Sequence, residues 1–490
     1  MEILIAVGYL LCLLFIFLFS IGQLHLTWHY LRRLKEKKTA PDMAMEEWPM
    51  VTIQLPVYNE LYVIERLIDA VVKISYPRDK LEIQVLDDST DETVDLIANK
   101  VRAYQEQNID VKHIRRPERK GFKAGALAYG LEKAKGAFIA IFDADFLPSP
   151  DFLKKTIPHF INEKVGVVQT RWGHVNKDYS LLTRLQAFGL DGHFTIEQGG
   201  RSHAGSFINF NGTGGVWRKA CIEDAGGWSD DTLTEDLDLS YRAQMKGWEF
   251  TYLEEVEAPA ELPILMPAIK SQQFRWNKGA AECARKHLIH IFEEHPKRKI
   301  GWVNRIHAIM HLFNSSVFLF LLIGAVLSVP MLFIKQQHPY MNTFFKLGAV
   351  FVLGFFSIGL FYWIATSRVI KERKLWYFLK HYPLFLTITM GLSLHNALAV
   401  AEGLLGFKSP FLRTPKFNVT NVKEQWKKNI YLHYKVSPLT WLEVLLALYF
   451  VFGIVSAFFV ADYGMLLFHA MLAIGFAAVA LYSFTAPRHA

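Results

Sequence analysis

Phe138-Ile139-Ala140-Ile141-Phe142 runs directly into Asp143-Ala144-Asp145. Residues two apart on a strand face the same way, so an Asp-x-Asp at a strand end aims two carboxylates at one point. That arrangement holds a hard divalent cation, Mg2+ or Mn2+, and leaves other coordination positions to diphosphate oxygens. Asp145 is the first candidate metal ligand and Asp143 the second. A cation there neutralises the charge that grows on a departing nucleoside diphosphate. Lys123, within Lys120-Gly121-Phe122-Lys123-Ala124-Gly125-Ala126, is placed to add positive charge where glycines let the backbone approach. Its bland alternative is a solvated lysine.

Three further runs carry chemistry of the same kind. Thr234-Glu235-Asp236 opens a helix-like stretch, and Asp236 suits the role of general base, taking the proton that a sugar hydroxyl must lose to attack an anomeric carbon. Asp236 alternatively reads as a carboxylate favouring the positive end of a helix capped by Thr234 and Glu235. In Gln272-Gln273-Phe274-Arg275-Trp276 the guanidinium can pair with phosphate oxygens and the indole can stack on the apolar face of a pyranose. An Arg-Trp pair close to a membrane also serves as an interfacial anchor. Leu86 leads into Asp87-Asp88-Ser89-Thr90-Asp91, a second acidic cluster, although aspartates also open turns and cap helices.

These clusters need a scaffold that brings them to one edge. Val51-Thr52-Ile53-Gln54-Leu55-Pro56-Val57-Tyr58-Asn59-Glu60 reads as a strand turning at Pro56 and Asn59. Ile64, Leu67, Ile68 and Val71 then share one helical face, and Ile83-Gln84-Val85-Leu86 is the next apolar run. Strand, helix, strand predicts a parallel, doubly wound α/β sheet, and such sheets bind ligands beyond the carboxyl ends of their strands, where both acidic clusters stand.

The chain is 51% hydrophobic, too apolar for a purely soluble protein of its length. Stretches without Asp, Glu, Lys or Arg run Ile3–Leu31, Ile306–Ile334, Leu347–Ser367, His381–Ala401, Val444–Ala461 and Tyr463–Pro487, each near the ~20 residues that cross a bilayer. The expected organisation is an N-terminal anchor at 1–31, a catalytic domain at 48–290 and two spans within 306–367. A cytosolic loop at 405–440 and two spans within 444–487 complete it. The 381–401 stretch is awkward, because a full crossing would put the basic 406–435 loop outside. Pro383, Gly391, His395 and Asn396 within it favour a re-entrant or interfacial segment. The formal charge of +8 gathers partly at clusters flanking the spans, such as Arg32-Arg33-Leu34-Lys35, which points to an inner membrane face and not to nucleic acid. Cys12, Cys221 and Cys283 lack metal-ligand spacing and make no disulfide framework, so the soluble part is expected in the cytosol.

Taken in order, Asp-Asp, Asp-x-Asp, Thr-Glu-Asp and Gln-x-x-Arg-Trp followed by spans resemble the family 2 processive glycosyltransferases of the cellulose synthase superfamily. Gln84-Val85-Leu86-Asp87-Asp88-Ser89-Thr90-Asp91, Val168-Gln169-Thr170-Arg171-Trp172, Phe210-Asn211-Gly212-Thr213-Gly214-Gly215-Val216-Trp217-Arg218 and Gly226-Gly227-Trp228 look like the plant cellulose synthase-like mannan and glucan synthases of the A and C groups and their bacterial relatives. The resemblance implies a GT-A (Rossmann-like) cytosolic domain on an α-helical transmembrane bundle. It implies Asp87 and Asp88 at the nucleotide, Asp143 and Asp145 at the diphosphate and metal, and Asp236 as base. Gln272, Arg275 and Trp276 would hold the donor diphosphate and the acceptor end, while Trp172, Asn211, Gly212 and Thr213 would line the acceptor path. Phe417-Asn418-Val419-Thr420-Asn421-Val422-Lys423 is similar to the family's Phe-x-Val-Thr-x-Lys gate but carries one extra residue before the Lys, so Phe417, Val419, Thr420 and Lys423 are gate candidates.

The implied activity is inverting, metal-dependent transfer of a hexose from UDP-glucose or GDP-mannose to a growing β-linked glycan in the bilayer, with export through the chain's own helices. The location expected is a bacterial inner membrane, or the Golgi in a eukaryote. Transfer of one sugar to a lipid is the first rival. A transporter or scaffold that only binds nucleotide-sugar is the second, and it would have no need of Asp236. Export and assembly partners are not specified by the sequence.

Overall fold

The computed structural model describes residues 1–36, 45, 47–293, 300–338, 352–410, 413–419, 430–431 and 436–486. Two gate candidates, Thr420 and Lys423, lie outside the described residues, as do the basic residues Lys297, Arg298 and Lys299.

Seven strands form one sheet: β1 (Val51–Val57), β2 (Leu81–Asp87), β3 (Val111–Arg115), β4 (Phe138–Ile141), β5 (Val165–His174), β6 (Gly215–Arg218) and β7 (Glu249–Ala260), in the order β3-β2-β1-β4-β6-β5-β7. The half from β3 to β4 is parallel, as the strand-helix-strand pattern predicts. The other half departs from a purely parallel sheet, because β6 runs antiparallel to both neighbours while β5 and β7 are parallel. The cause is local. Gly212 and Gly214 take positive φ values of 78° and 64° at the carboxyl end of β4, so the chain doubles back from the site and must run away from it as β6.

Alternation on β1 divides two layers. Val51, Ile53, Leu55 and Val57 pack with Ile64, Leu67, Ile68 and Val71 of the helix Ile64–Val72, the four residues whose spacing marks its buried face. Full burial of such a side chain contributes about 1.5–3 kcal/mol, so this face alone fixes the helix against the sheet. The strand does not turn at Pro56. It continues to Val57, and the reversal falls at Asn59, whose φ is 54°. Beneath the opposite face, Leu86, Ile139 and Ile141 pack against Ala126, Leu127 and Leu131 of the helix Phe122–Lys133.

Among the described residues, five helices are long and apolar enough to cross a membrane: Glu2–Lys35, Asn314–Gln337, Val352–Val369, Pro438–Phe459 and Leu466–Phe484. The helices Lys374–Gly391 and Ser393–Leu405 are bent by 52° at the break between them. The stretch read as one span from Ile306 is divided: Trp302–Leu312 is a separate helix whose Ala308 and Leu312 pack against Phe207 and Tyr241 of the α/β domain, and the long helix starts beyond it. Thirty-four residues make the first helix about 50 Å long, more than a ~30 Å hydrocarbon core. Its end reaches the sheet, where Tyr30 donates to Glu254 at 2.7 Å and Arg33 pairs with the same carboxylate at 3.1 Å. A segment starting at the capping box of Ser180 and Thr183 lies between sheet and apolar helices, and Gly192 allows the contact, since a Cβ there would stand 2.8 Å from Phe361 and Tyr362. All three cysteines are buried and free.

Candidate active site

The strand order puts β1 between β2 and β4, so the acidic runs after β2 and β4 flank the carboxyl end of β1 across one cavity of about 190 Å³. It is lined by seven carboxylates, Glu60, Asp88, Asp143, Asp145, Glu235, Asp236 and Glu261, and by the cations Arg119, Lys123, Arg275, Arg413 and Lys416. Gln272, Trp276, Trp172, Asn211 and Gly212 complete the predicted set on this wall. Four runs separated by up to about 190 positions in sequence are thus brought together.

Asp143 and Asp145 are held by different cations. Lys123 Nζ donates to Asp143 Oδ1 at 2.6 Å and to the Gly212 carbonyl at 2.9 Å, and Thr213 Oγ1 accepts from the Asp143 amide at 2.9 Å. Lys123 therefore neutralises Asp143 here and is not directed to solvent. Lys416 Nζ donates to Asp145 Oδ2 at 2.8 Å, while the buried Oδ1 of Asp145 has no hydrogen-bond partner among the described residues. A buried carboxylate oxygen left without a donor is costly, and a hard cation is the natural occupant of such a position. The residues present fit a divalent cation as a two-carboxylate site completed by substrate oxygens; among the described residues no group of three or more His, Cys, Asp or Glu is arranged to hold a metal unaided.

Asp236 sits in the first turn of the helix Glu235–Met245, where its Oδ1 accepts from the Leu237 amide at 2.9 Å. Thr234 occupies the N-cap position without a side-chain cap bond. Burial and the neighbouring Glu235 push the Asp236 carboxyl up to about 7, with Lys123 opposing them. A carboxylate that binds a proton near neutrality, facing a cavity, has the property a general base requires. Asp238, two residues on, is instead buried against His287 at 2.8 Å and Arg242 at 2.7 Å, which overcome burial and hold it well below the ordinary carboxylate range.

The two aspartates after β2 separate in role. Asp87 is buried, contacts His113 at 2.7 Å and accepts from the Ser89 amide at 2.8 Å, which shapes the turn; it is not part of the cavity wall. Asp88 lines the cavity and is gripped by both arms of Arg116, at 2.7 and 2.6 Å. Thr213 likewise supports the wall, its carbonyl accepting from Trp172 Nε1 at 3.4 Å. Trp172 and Trp276 stand with ring centroids 6.4 Å apart, tilted by 56°, two flat apolar faces on one side of the cavity.

Some functional candidates emerge only once the fold brings distant segments together. Arg413, from the segment after the bent helix pair, pairs with Glu60 at 3.2 Å and donates to the carbonyls of Tyr58 and Asn59. Thr414 accepts from Arg275 at 3.2 Å, and the Phe417 amide donates to Glu261 at 2.8 Å. Phe417 and Val419, the described gate candidates, are buried against Ile264, Leu265 and Ala268. Burial, opposed by Arg413 and Lys416, leaves the Glu60 carboxyl raised to about 7. Arg119 lies 3.3 Å over the Tyr58 ring, a planar platform beside Asp88. Arg413 and Lys416 stand in a run, Arg413-Thr414-Pro415-Lys416, whose paired cations were the available signal; Glu60 and Glu261 gave none, being single carboxylates at strand ends.

Comparison with known proteins places this arrangement. A glucomannan 4-beta-mannosyltransferase 9 of Arabidopsis thaliana is 35% identical over 410 residues, covering 81% of this chain and 73% of that protein. A glucomannan 4-beta-mannosyltransferase 1 of Oryza sativa subsp. japonica is 39% identical over 350 residues, covering 68% of this chain and 66% of the relative. The probable glucomannan 4-beta-mannosyltransferase 4 of the same species is 48% identical over 244 residues, 49% of this chain and 44% of its own. The chain thus spans about half to two thirds of the length of most such relatives. Among solved structures, a mannosyltransferase from Pyrobaculum calidifontis in complex with GDP-Man and Mn2+ superposes with a TM-score of 0.53 at 19% identity, covering 83% of this chain and 99% of that one, a likeness of fold. The glycosyltransferase like family 2 pattern matches residues 49–279, the span that holds every wall of the cavity except the one supplied by Arg413–Lys416. The chain belongs to glycosyltransferase family 2.

Proposed function

We propose that this protein transfers mannose from GDP-mannose to the end of a growing β-1,4-linked glycan, with inversion and with a divalent cation. The observation that carries the reading is that the Asp143–Asp145 pair and an Asp236 poised to bind a proton near pH 7 line one cavity. Curated relatives named as glucomannan 4-beta-mannosyltransferases support the choice of sugar and linkage.

In this reading Asp236 takes the proton of the acceptor hydroxyl as it attacks the anomeric carbon. One base and one leaving-group site make a single displacement, so an α-configured donor gives a β-linkage. Arg275 and Lys123 hold the diphosphate, Gln272 orients it, and Trp172 and Trp276 stack the acceptor sugars. Asp145 and Asp143 would hold Mg2+ or Mn2+, which supplies charge neutralisation of the leaving diphosphate. Each ionised wall carboxylate opposes entry of a diphosphate, and a bound cation would offset that charge.

The cavity is smaller than the ~300–1,000 Å³ usual for a substrate pocket, and Arg413 and Lys416 fill part of it. The segment Arg413–Val419 is therefore a cover that must withdraw for the donor to enter. It also constrains topology. Arg413 and Lys416 touch the sheet's ligand edge, so they lie on the catalytic domain's side of the membrane. In this reading the chain between His287 and Arg413 crosses an even number of times, with Asn314–Gln337 and Val352–Val369 as two crossings and the pair bent by 52° as a re-entrant segment. The basic charges favour the inner side for this whole assembly.

Membranes carrying the protein, incubated in parallel with labelled GDP-mannose and UDP-glucose, test the reading by product sizing. Polymer from GDP-mannose that disappears with EDTA is expected. Product only from UDP-glucose would overturn the donor, and a single sugar on lipid would overturn polymerisation.

A further inference from the structure

Asn211 is held by a chain of hydrogen bonds that starts outside the α/β domain. Gln198 Nε2 donates to the carbonyl of Asn209 at 2.9 Å, and because a carbonyl only accepts, this fixes which way the Gln198 amide faces. The same nitrogen is 2.6 Å from Asn211 Oδ1, so that oxygen accepts and Asn211 Nδ2 is the atom facing His193 Nε2 at 3.0 Å. Nε2 must then be a bare lone pair and the imidazole proton must sit on Nδ1, which is 2.7 Å from Glu197 Oε2. Only one assignment of donors satisfies the chain. Glu197 is itself fixed from a third direction, since Gln23 of the long N-terminal helix donates to its other oxygen at 2.9 Å. Burial would raise the Glu197 carboxyl, but Arg201 and the hydrogen bond from His193 outweigh it and hold it below its ordinary range, so Glu197 is an anion that holds the Nδ1 proton.

The backbone of this stretch is unusual in the same place. Residues His193–Glu197 form a single π-helical turn between the helices Leu181–Gly192 and Gln198–His203. Such turns concentrate at functional sites, where they re-aim side chains that a regular helix would direct elsewhere. Asn211 lines the cavity beside Gly212, and after serving His193 and Gln198 its amide keeps one N–H and one oxygen lone pair for a ligand.

We propose that His193 and Glu197 are positioning residues for the acceptor sugar: they lock the Asn211 amide so that its remaining N–H and lone pair meet a hydroxyl of the glycan end. This rests on the glycosyltransferase reading of the cavity. The device has a chemical logic. A neutral imidazole that accepts at Nε2 orders Asn211 without adding a positive charge near the acceptor, and the Glu197 anion keeps the tautomer. Neither residue touches the reacting atoms.

The test compares His193→Ala, His193→Gln, Glu197→Gln and Asn211→Ala in purified full-length protein, with a β-1,4-manno-oligosaccharide as acceptor probe and GDP as nucleotide probe. Gln at 193 presents an acceptor and a donor at about the spacing of the two imidazole nitrogens. His193→Ala and Glu197→Gln should each raise the acceptor KM about 5- to 50-fold, as expected for an unsatisfied or misdirected amide. The kcat at saturating acceptor and the Kd for GDP should stay within twofold of wild type. His193→Gln should recover most of the lost acceptor affinity. An unchanged acceptor KM in His193→Ala, an equal weakening of GDP binding, or a His193→Gln variant no better than His193→Ala would overturn the proposal. Asn211→Ala separates the two levels of inference: if it leaves the acceptor KM unaltered, the placing of acceptor at Asn211 is wrong, whereas a raised KM there with a normal one in His193→Ala removes the dyad alone.

Discussion

Replacing Asp236 with Asn distinguishes catalysis from helix capping because the structure predicts opposite signs for activity and stability. Asn keeps an Oδ1 that can accept from the Leu237 amide, so the one bond Asp236 makes within its own helix turn survives. What is lost is a proton acceptor, and general-base catalysis is worth about 10²–10⁴-fold. Stability should move the other way. The Asp236 carboxyl is raised from 3.8 to about 7 by burial and by Glu235, so its contribution is fully present below pH 3.8 and is lost as pH rises through 7. At about 1.4 kcal/mol per pH unit over roughly three units, ionisation costs the fold at most about 4 kcal/mol, a figure that already contains the opposing pull of Lys123. Asn does not ionise, so the variant should match wild type at pH 4 and be more stable by about 1–3 kcal/mol at pH 8. The assays are sugar transfer, GDP affinity and urea denaturation at both pH values on one preparation. In wild type, transfer should rise with pH through about 7 and the rise should vanish in the variant. Transfer within threefold of wild type, or a variant that is less stable at pH 8, would refute the reasoning and leave Asp236 a helix-end carboxylate.

The remaining predictions concern the metal edge and the aromatic wall. Asp145→Asn should abolish Mn2+ binding measured by electron paramagnetic resonance and lower transfer at least 10²-fold, with the fold retained; unchanged Mn2+ affinity would remove the ligand assignment. Lys416→Met should raise Mn2+ affinity in the absence of nucleotide by roughly tenfold, because the ammonium now 2.8 Å from Asp145 competes for the same carboxylate, and an equal or lower affinity would refute that competition. Trp276→Ala should lose elongation more than hydrolysis of the donor, since stacking orders the acceptor and does not touch the leaving group; equal loss of both would make it an anchor.

How far the sequence reveals this site depends on whether each residue's signal is local. Asp143, Asp145 and Asp236 were legible because a strand or helix end and a carboxylate at fixed spacing are both local properties, and all three line one cavity. Trp276 and Arg275 came from their adjacency on one helix. Asp87 illustrates the limit: Asp-Asp reads as a pair, but alternation along β2 turns the first inward to His113 and leaves only Asp88 on the cavity. Glu60 and Glu261 were missed because their surroundings come from Arg413, Lys416 and the Phe417 amide, more than 150 residues away. The antiparallel β6 was missed for a related reason. A four-residue strand carries no direction in its pattern, and the two positive-φ glycines that reverse the chain read in sequence only as a flexible run.

The helix Met266–His287 explains how a soluble-type sheet and an apolar bundle can act as one machine. It carries Gln272, Arg275 and Trp276 into the cavity, yet its two buried lysines point the other way. Lys270 is fixed between Glu443 at 2.7 Å, at the start of one apolar helix, and Ser483 at 2.9 Å, near the end of the next. Lys278 bonds Glu402 at 2.9 Å and also Ser409, across the end of the bent pair from which the covering segment departs. Buried pairs of this sort add little net stability over apolar packing, but removing one partner leaves a stranded charge and costs about 3–5 kcal/mol. Their effect is therefore to specify one docking of the helix in preference to many of similar energy. Arg275 on the cavity wall and the Glu402–Ser409 end of the bent pair thus hang from the same element, so these buried pairs fix the cavity and the apolar helices in one mutual arrangement.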